Sequence, residues 1–401
     1  MIPIELISKL AVENKARIIY LVIDGLGGLP SEDGKTELEF ASTPELDKLA
    51  GDSICGLSIP VSFGITPGSG PGHLSLFGYD PLKYEIGRGA LSAAGIGFYQ
   101  EKNDLAVRIN FATLDSAGRV SDRRAGRIST TRAARLCRLL EEGLDLKEIK
   151  VFIRSVKEHR GVVIFRGKKL SDRITDSDPQ ISGVSPLAVK AKEKSAQATA
   201  KMVNQFLSKV KKILKDEKPA NMILMRGFAK APHLPQMKAL YKLNPAVIAG
   251  YPMYKGIARL MGMEVLKTGE NMAGEFETLE KNFSRFNFFF VHIKGTDSAG
   301  EDGDFKRKVK VIEEVDGYIA GLRALNPEVL VVAGDHSTPA ALKLHSWHPS
   351  PFLLHSKWCR RDEVRSFSEK DCLRGGLGLF SALDIMPLVL ANAGKLKKLG
   401  A

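Results

Sequence analysis

Buried-strand runs that end directly in a carboxylate constrain this chain most. Ile18-Ile19-Tyr20-Leu21-Val22-Ile23 passes without a polar break into Asp24-Gly25-Leu26-Gly27-Gly28, and Val329-Leu330-Val331-Val332-Ala333-Gly334 passes in the same way into Asp335-His336-Ser337. A run that is apolar at every position, not at alternate ones, describes a strand covered on both faces. Further apolar runs at 151–154, 162–166, 221–225, 246–249 and 286–293 alternate with helical periodicity at 43–51, 130–142, 188–215 and 304–325. That alternation predicts an α/β fold with a largely parallel sheet flanked by helices, whose working loops follow the carboxyl ends of the strands.

With 401 residues, 44% of them hydrophobic, the chain can bury two cores, because domains usually run to roughly 100–200 residues. No apolar run approaches the roughly 18 residues that span a membrane, and Glu5 and Glu13 interrupt any signal-peptide pattern. The expectation is a cytoplasmic protein with no membrane partner; a homo-oligomer is left open. Cys55, Cys137, Cys359 and Cys372 form no Cys-x-x-Cys pair and are too few for a disulfide framework, so they are expected reduced and mostly structural.

A net charge of +13 attracts anions without saying which. Many lysines fall between Lys190 and Lys218, where Val203, Leu207, Val210 and Leu214 recur at helical spacing, which makes them the solvated face of an amphipathic helix. No basic stretch is interleaved with aromatics as base stacking requires, so no nucleic-acid partner is expected.

The acidic loops carry more chemistry. After the apolar strand ending at Ile293 comes Lys294-Gly295-Thr296-Asp297-Ser298-Ala299-Gly300-Glu301-Asp302-Gly303-Asp304. Asp297 and Glu301, four apart, can share one face of a helical turn and give oxygens to one ion, whereas Asp302 and Asp304 suit the start of the next helix. His345 follows Asp335-His336 after nine residues, and His348 is left unassigned. Gly64-Ile65-Thr66-Pro67-Gly68-Ser69-Gly70-Pro71-Gly72-His73 is a turn-rich segment leading into an apolar run, which sets Ser69 where a chain turns into a helix and phosphate is favoured. A serine hydroxyl is a weak nucleophile unless a cation stabilises its alkoxide. Carboxylates, histidines and this serine together point to two divalent ions and metal-assisted phosphoryl transfer.

Arginines crowd the segment between these loops: Arg119, Arg123, Arg124, Arg127, Arg132, Arg135 and Arg138. Guanidinium groups recognise phosphate and carboxylate bidentately, so Arg123, Arg124 and Arg127 are the candidates for an anion pocket. Metal-type loops lie before about residue 75 and after about residue 290. This order suggests a catalytic domain, 1–77 and 241–401, interrupted by a substrate-binding domain at 78–240.

The segments VIDGLGG at 22–28, PGSGPGHLSLFGYDP at 67–81, GRGALSAAG at 87–95, NFATLD at 110–115, DRRAGRI at 122–128, KGTDSAGEDGDF at 294–305 and AGDHSTP at 333–339 resemble the archaeal-type cofactor-independent phosphoglycerate mutases. That resemblance covers nearly the whole chain. It implies an alkaline-phosphatase-like sheet with a smaller inserted α/β domain, and interconversion of 3-phosphoglycerate and 2-phosphoglycerate in glycolysis and gluconeogenesis without 2,3-bisphosphoglycerate. It also implies Asp24, Ser69, Asp335 and His336 around one ion and Asp297, Glu301 and His345 around the other, with Mn²⁺, Mg²⁺, Co²⁺ or Zn²⁺ as the metals. Many relatives have His where this chain has Glu301, an added oxygen that favours Mn²⁺ or Mg²⁺. Gly70 stands where archaeal relatives often have an acid. Ser69 is then the nucleophile that becomes phosphoserine, while Arg123, Arg124 and Arg127, followed by Arg226, hold the glycerate and exclude water. Lys255 could neutralise the transferring phosphoryl group, and Arg88 and His159 complete the substrate-binding candidates. The alternative on the same scaffold is a metal-dependent phosphomonoesterase or a mutase for another phosphorylated metabolite.

Overall fold

Ile18–Ile23, Phe288–Ile293 and Val329–Ala333 form neighbouring parallel strands, buried at every position as their unbroken hydrophobicity requires. The computed structural model describes residues 3–146, 149–269 and 271–400. The chain divides into one unit of Met1–Glu85 with Leu234–Ala401 and a second of Ile86–His233. The second unit is narrower than the 78–240 span inferred from motif order because the flanking segments pack within the first. Tyr79 Oη donates to Pro235 O at 2.7 Å, and Tyr241 Oη to Phe77 O at 2.9 Å.

The first unit carries an eight-stranded sheet in the order 378–381, 54–59, 350–356, 329–333, 18–23, 288–293, 245–249, 264–265. Among the described residues only Ser350–Ser356 runs antiparallel to its neighbours in this sheet. Register positions the working loops: Ile23 lies beside Ile293 and Val22 beside Ala333. Asp24, Lys294 and Gly334-Asp335 therefore leave the sheet side by side at its carboxyl edge, where ligands of such sheets collect. Ala249 pairs with His292, so the helix Pro252–Leu260 begins just beyond the same edge.

Strand alternation divides these side chains between two layers. Ile19, Leu21 and Ile23 join Leu46, Leu49, Ile312, Val315 and Ile319 from the helices Pro44–Ala50 and Phe305–Ala324. On the other face Phe77 packs on Tyr20, Phe288 and Phe290, with ring centroids 5.6, 6.2 and 4.9 Å away. Burying such a ring contributes about 1.5–3 kcal/mol. Phe77 ends the helix Ser69–Leu76, so this packing anchors the helix that Ser69 opens, and Tyr20 Oη adds a bond to Leu76 O at 3.0 Å.

The second unit is also mixed α/β, but its five strands pair antiparallel. Asp104–Leu114 is central, between Arg160–Arg166 and Met222–Ala229. Leu105, Val107, Ile109 and Phe111 face the core built with the helices Thr130–Gly143 and Gln197–Ile213, while Ala106 packs with Val162, Ile164 and Ala93 of the short helix Arg88–Gly95. A Cβ on Gly89 would lie 2.2 Å from Ala106 O, so glycine permits this close approach of helix to sheet. The helix expected over 188–215 is shorter, Gln197–Ile213, because Lys190 and Lys192 pair their backbone with Thr175 and Arg173. All four cysteines are free, and among the described residues no helix is long and apolar enough to cross a membrane.

Candidate functional site

Asp24, Asp335 and His336 meet at the carboxyl edge of the large sheet, with ligand atoms within 4.8 Å of one another. His336 Nε2 lies 3.3 Å from Asp24 Oδ1 and 3.1 Å from Asp335 Oδ2. All three residues are buried, and among the described residues these same three atoms have no hydrogen-bond partner. Each unpaired buried polar atom costs about 1–3 kcal/mol, more when charged. Two carboxylate oxygens and an imidazole nitrogen facing one another form a donor set that fits a divalent cation. His336 Nδ1 lies 3.0 Å from Thr338 Oγ1, which in turn donates to Asp297 Oδ1 at 2.7 Å. Nδ1 therefore carries the proton and Nε2 presents its lone pair. Burial holds the His336 pKa down, which keeps the ring neutral and able to ligate.

A second group, Asp297, His336 and His345, also lies within 4.8 Å. Asp297 and Glu301 project from the helix Gly295–Asp302. His345 Nε2 is 3.4 Å from Asp297 Oδ1 and 3.9 Å from Glu301 Oε1, while Pro67 O accepts from its Nδ1 at 2.9 Å. The Glu301 side chain is 56% exposed and stands outside the tight group. The partial desolvation of its carboxyl, followed by the neighbouring Asp297, pushes its pKa up. His348 bonds to Ser346 Oγ at 3.1 Å, away from both groups, and Asp304 caps the helix Phe305–Ala324.

Ser69 opens its helix, and among the described residues no side chain caps that end. The turn is held to Asp335: His73 Nδ1 donates to Ser69 O at 2.8 Å and lies 3.1 Å from Asp335 Oδ2. A Cβ on Gly72 would come within 2.5 Å of Asp335 O, so only glycine allows the approach. Lys294 reaches between carboxylates, its Nζ 3.1 Å from Asp24 Oδ2, bonded to Asp297, and 3.0 Å from Tyr254 Oη. Tyr254 also donates to Asp24 and stacks on His292 with centroids 3.5 Å apart. Burial works to raise the Asp24 pKa, but Lys294, His292 and His336 outweigh it and hold the carboxyl well below its ordinary range. Burial likewise opposes the charge on Lys294, yet Asp24 and Asp297 raise its pKa. Beneath these loops the buried Lys308 donates to Gly27 O at 2.9 Å and Thr338 O at 3.0 Å, tying the Asp24 and His336 loops together.

The second unit contains a small cleft lined by Arg88, Arg108, Asn110, Arg123, Asp178 and Arg226, with Leu224 among them. Arg108 and Asn110 are two apart on one strand and share a face. A register shift between Ala106 and Arg108 sets Arg108 opposite Arg226. Gly227 has φ +73°, and a Cβ there would lie 2.7 Å from Arg88 Cβ, so the glycine lets Arg88 lie against this strand. Asp178 grips Arg123 bidentately at 3.1 and 2.8 Å. Burial, then the nearby Arg226, lowers the pKa of Arg88.

Of the arginine candidates, Arg88, Arg123 and Arg226 line this cleft. Arg124 and Arg127 do not; both are exposed, because Asp122 accepts from Arg124 N and Gly126 N and curls the segment into a single 3₁₀ turn over Ala125–Arg127. His159 is buried outside the lining, and burial followed by Arg160 pushes its pKa down to about 4. Lys255 follows Tyr254 on the helix Pro252–Leu260, its pKa lowered by burial and Arg259. Arg108, Asn110, Lys294, Tyr254 and His73 escaped the sequence reading. Lys294 had a usable signal, a lysine directly after a fully buried strand.

A family profile described as 2,3-bisphosphoglycerate-independent phosphoglycerate mutase matches residues 50–221. Over 398 residues, 99% of each chain, the sequence is 50% identical to a Thermotoga maritima protein named "Probable 2,3-bisphosphoglycerate-independent phosphoglycerate mutase". A Thermus thermophilus protein of the same name is 48% identical over 400 residues, 98% of each chain. Among solved structures, a Pyrococcus horikoshii protein superposes with a TM-score of 0.82 at 28% identity, covering 97% of this chain and all of that one. The cofactor-independent phosphoglycerate mutase of Thermoplasma acidophilum gives 0.72 at 31% identity, covering 94% of this chain and 100% of its own.

Proposed function

The chain belongs to the 2,3-bisphosphoglycerate-independent phosphoglycerate mutase family, and from that premise we propose that it interconverts 3-phosphoglycerate and 2-phosphoglycerate through a phosphoserine on Ser69. The observation that carries the chemical part of this reading is the convergence of three buried ligand atoms on Asp24, Asp335 and His336 that have no hydrogen-bond partner among the described residues. In this reading those residues and Ser69 hold one divalent ion, and Asp297, His345 and Glu301 the other. The oxygen of Glu301 favours Mn²⁺ or Mg²⁺ over Zn²⁺ or Co²⁺. Bound ions supply charge neutralisation and Lewis-acid polarisation at the phosphoryl oxygens.

The chain's own residues do the rest. Ser69 Oγ gives up its proton as its bond to phosphorus forms and the bond from phosphorus to the glycerate oxygen breaks, and the departing oxygen takes up one proton in exchange. Lys294, kept cationic by Asp24 and Asp297, adds positive charge where negative charge develops. The arginines of the second unit are assigned to the glycerate carboxylate, and the other glycerate hydroxyl takes the phosphoryl group as the bond from phosphorus to Ser69 Oγ breaks and Ser69 regains a proton. Arg88, Arg123 and Arg226 are assigned this role, joined by Arg108, with Lys255 assigned to the phosphoryl group. The reading carries with it a place in glycolysis and gluconeogenesis and a cytoplasmic location.

The test is an assay of metal-supplemented protein with 3-phosphoglycerate and no 2,3-bisphosphoglycerate, separating 2-phosphoglycerate from free phosphate. Formation of 2-phosphoglycerate that is lost on chelation, restored by Mn²⁺ and abolished in Ser69→Ala is expected. Free phosphate as the main product would instead favour the phosphomonoesterase.

A further inference from the structure

Asn110 breaks the chemistry of the arginine cleft. Four of its walls, Arg88, Arg108, Arg123 and Arg226, are donors only, because a guanidinium group has no acceptor. The one carboxylate, Asp178, is already engaged: Oδ1 accepts from Arg123 Nε at 3.1 Å and Gln180 N at 2.9 Å, and Oδ2 accepts from Arg123 Nη2 at 2.8 Å. Asn110 Oδ1 is buried and has no hydrogen-bond partner among the described residues. It is therefore the side-chain acceptor left unspent in a cleft otherwise arranged to donate.

An unspent buried acceptor beside anion-binding donors describes a ligand that is both an anion and a hydrogen-bond donor. A carboxylate supplies only acceptors at neutral pH and a phosphate monoester, with a second pKa of about 6, mainly acceptors, so the matching donor is a hydroxyl. Resting on the mutase reading, we propose that Asn110 Oδ1 accepts the free hydroxyl of the bound glycerate, which makes Asn110 the residue that selects hydroxy acids over their deoxy counterparts. The acceptor is held in place by the fold. Asn110 lies mid-strand, opposite Arg160 on one side and Leu224 on the other, so its backbone is fixed by two ladders. Leu224 shares the cleft and offers no competing polar group. Discrimination of this kind is strong, since a site that pairs a substrate hydroxyl leaves its own polar group stranded when the hydroxyl is missing.

The experiment compares 3-phosphoglycerate with 3-phosphooxypropionate, which lacks only the hydroxyl, on the wild type, Asn110→Ala and Asn110→Asp. Turnover gives KM for the first ligand, competitive inhibition gives the constant for the second, and melting temperature checks folding. The wild type should prefer the hydroxy acid by about tenfold or more. Asn110→Ala should erase most of that preference by weakening 3-phosphoglycerate alone, and Asn110→Asp, which keeps an acceptor, should retain it. An Ala variant that weakens both ligands equally, or neither, overturns the assignment while the mutase reading stands. A wild type that makes no 2-phosphoglycerate removes both.

Discussion

His336 Nδ1 and Thr338 Oγ1 lie 3.0 Å apart, and this contact decides which imidazole nitrogen faces Asp24 and Asp335. Because Thr338 donates onward to Asp297, one hydroxyl orients residues from both candidate ion groups.

Thr338→Val keeps the shape of the side chain and removes that hydroxyl. Apparent metal affinity, titrated into chelated protein by calorimetry, should fall about 10- to 100-fold, as for other partners that orient a ligating histidine. An affinity equal to wild type would mean that His336 is oriented by packing alone.

Arg226→Ala tests the anion cleft without touching the carboxylate loops. A bidentate guanidinium contact contributes about 1.5–3 kcal/mol, so losing it should shift the fate of the phosphoserine by roughly tenfold or more toward hydrolysis. The measurement is the ratio of inorganic phosphate to 2-phosphoglycerate, expected to rise as the mutase rate falls. Arg127→Ala, on an exposed residue outside the cleft, should move that ratio far less.

His159 contributes a pH dependence of definite sign. Its folded pKa is about 4, below the unfolded value of about 6.5. Between those values the unfolded chain binds more protons, so stability present above about pH 6.5 is lost as the pH falls toward 4. His159→Gln should lose less melting temperature than the wild type between pH 7.5 and pH 4.5. Parallel curves would show that His159 titrates normally in the folded protein.

The carboxylate loops were legible because a strand buried on both faces must be apolar throughout, so Asp24 and Asp335 stand out where the apolar run stops. The arginine cleft was not. Density along the chain drew attention to Arg124 and Arg127, whereas the cleft is assembled across strands, with Arg108 set opposite Arg226 by a register shift that leaves no local signature. Asp104–Leu114 itself went unread, since Arg108 and Asn110 interrupt its hydrophobic run on the cleft face. The antiparallel pairing of the second unit was hidden for a related reason: strand and helix periodicity report what an element is, and partner choice depends on segments far apart in sequence.

The most direct test is an isotope crossover. Two samples of 3-phosphoglycerate, one carrying ¹⁸O in the non-bridging phosphoryl oxygens and the other ¹³C in the glycerate, are mixed and converted by the metal-loaded protein, and the 2-phosphoglycerate is analysed by mass. If Ser69 holds the phosphoryl group while the same glycerate stays bound, the two labels remain on separate product molecules. Product carrying both labels would show that glycerate exchanges during the phosphoserine stage, and would contradict transfer within one retained substrate.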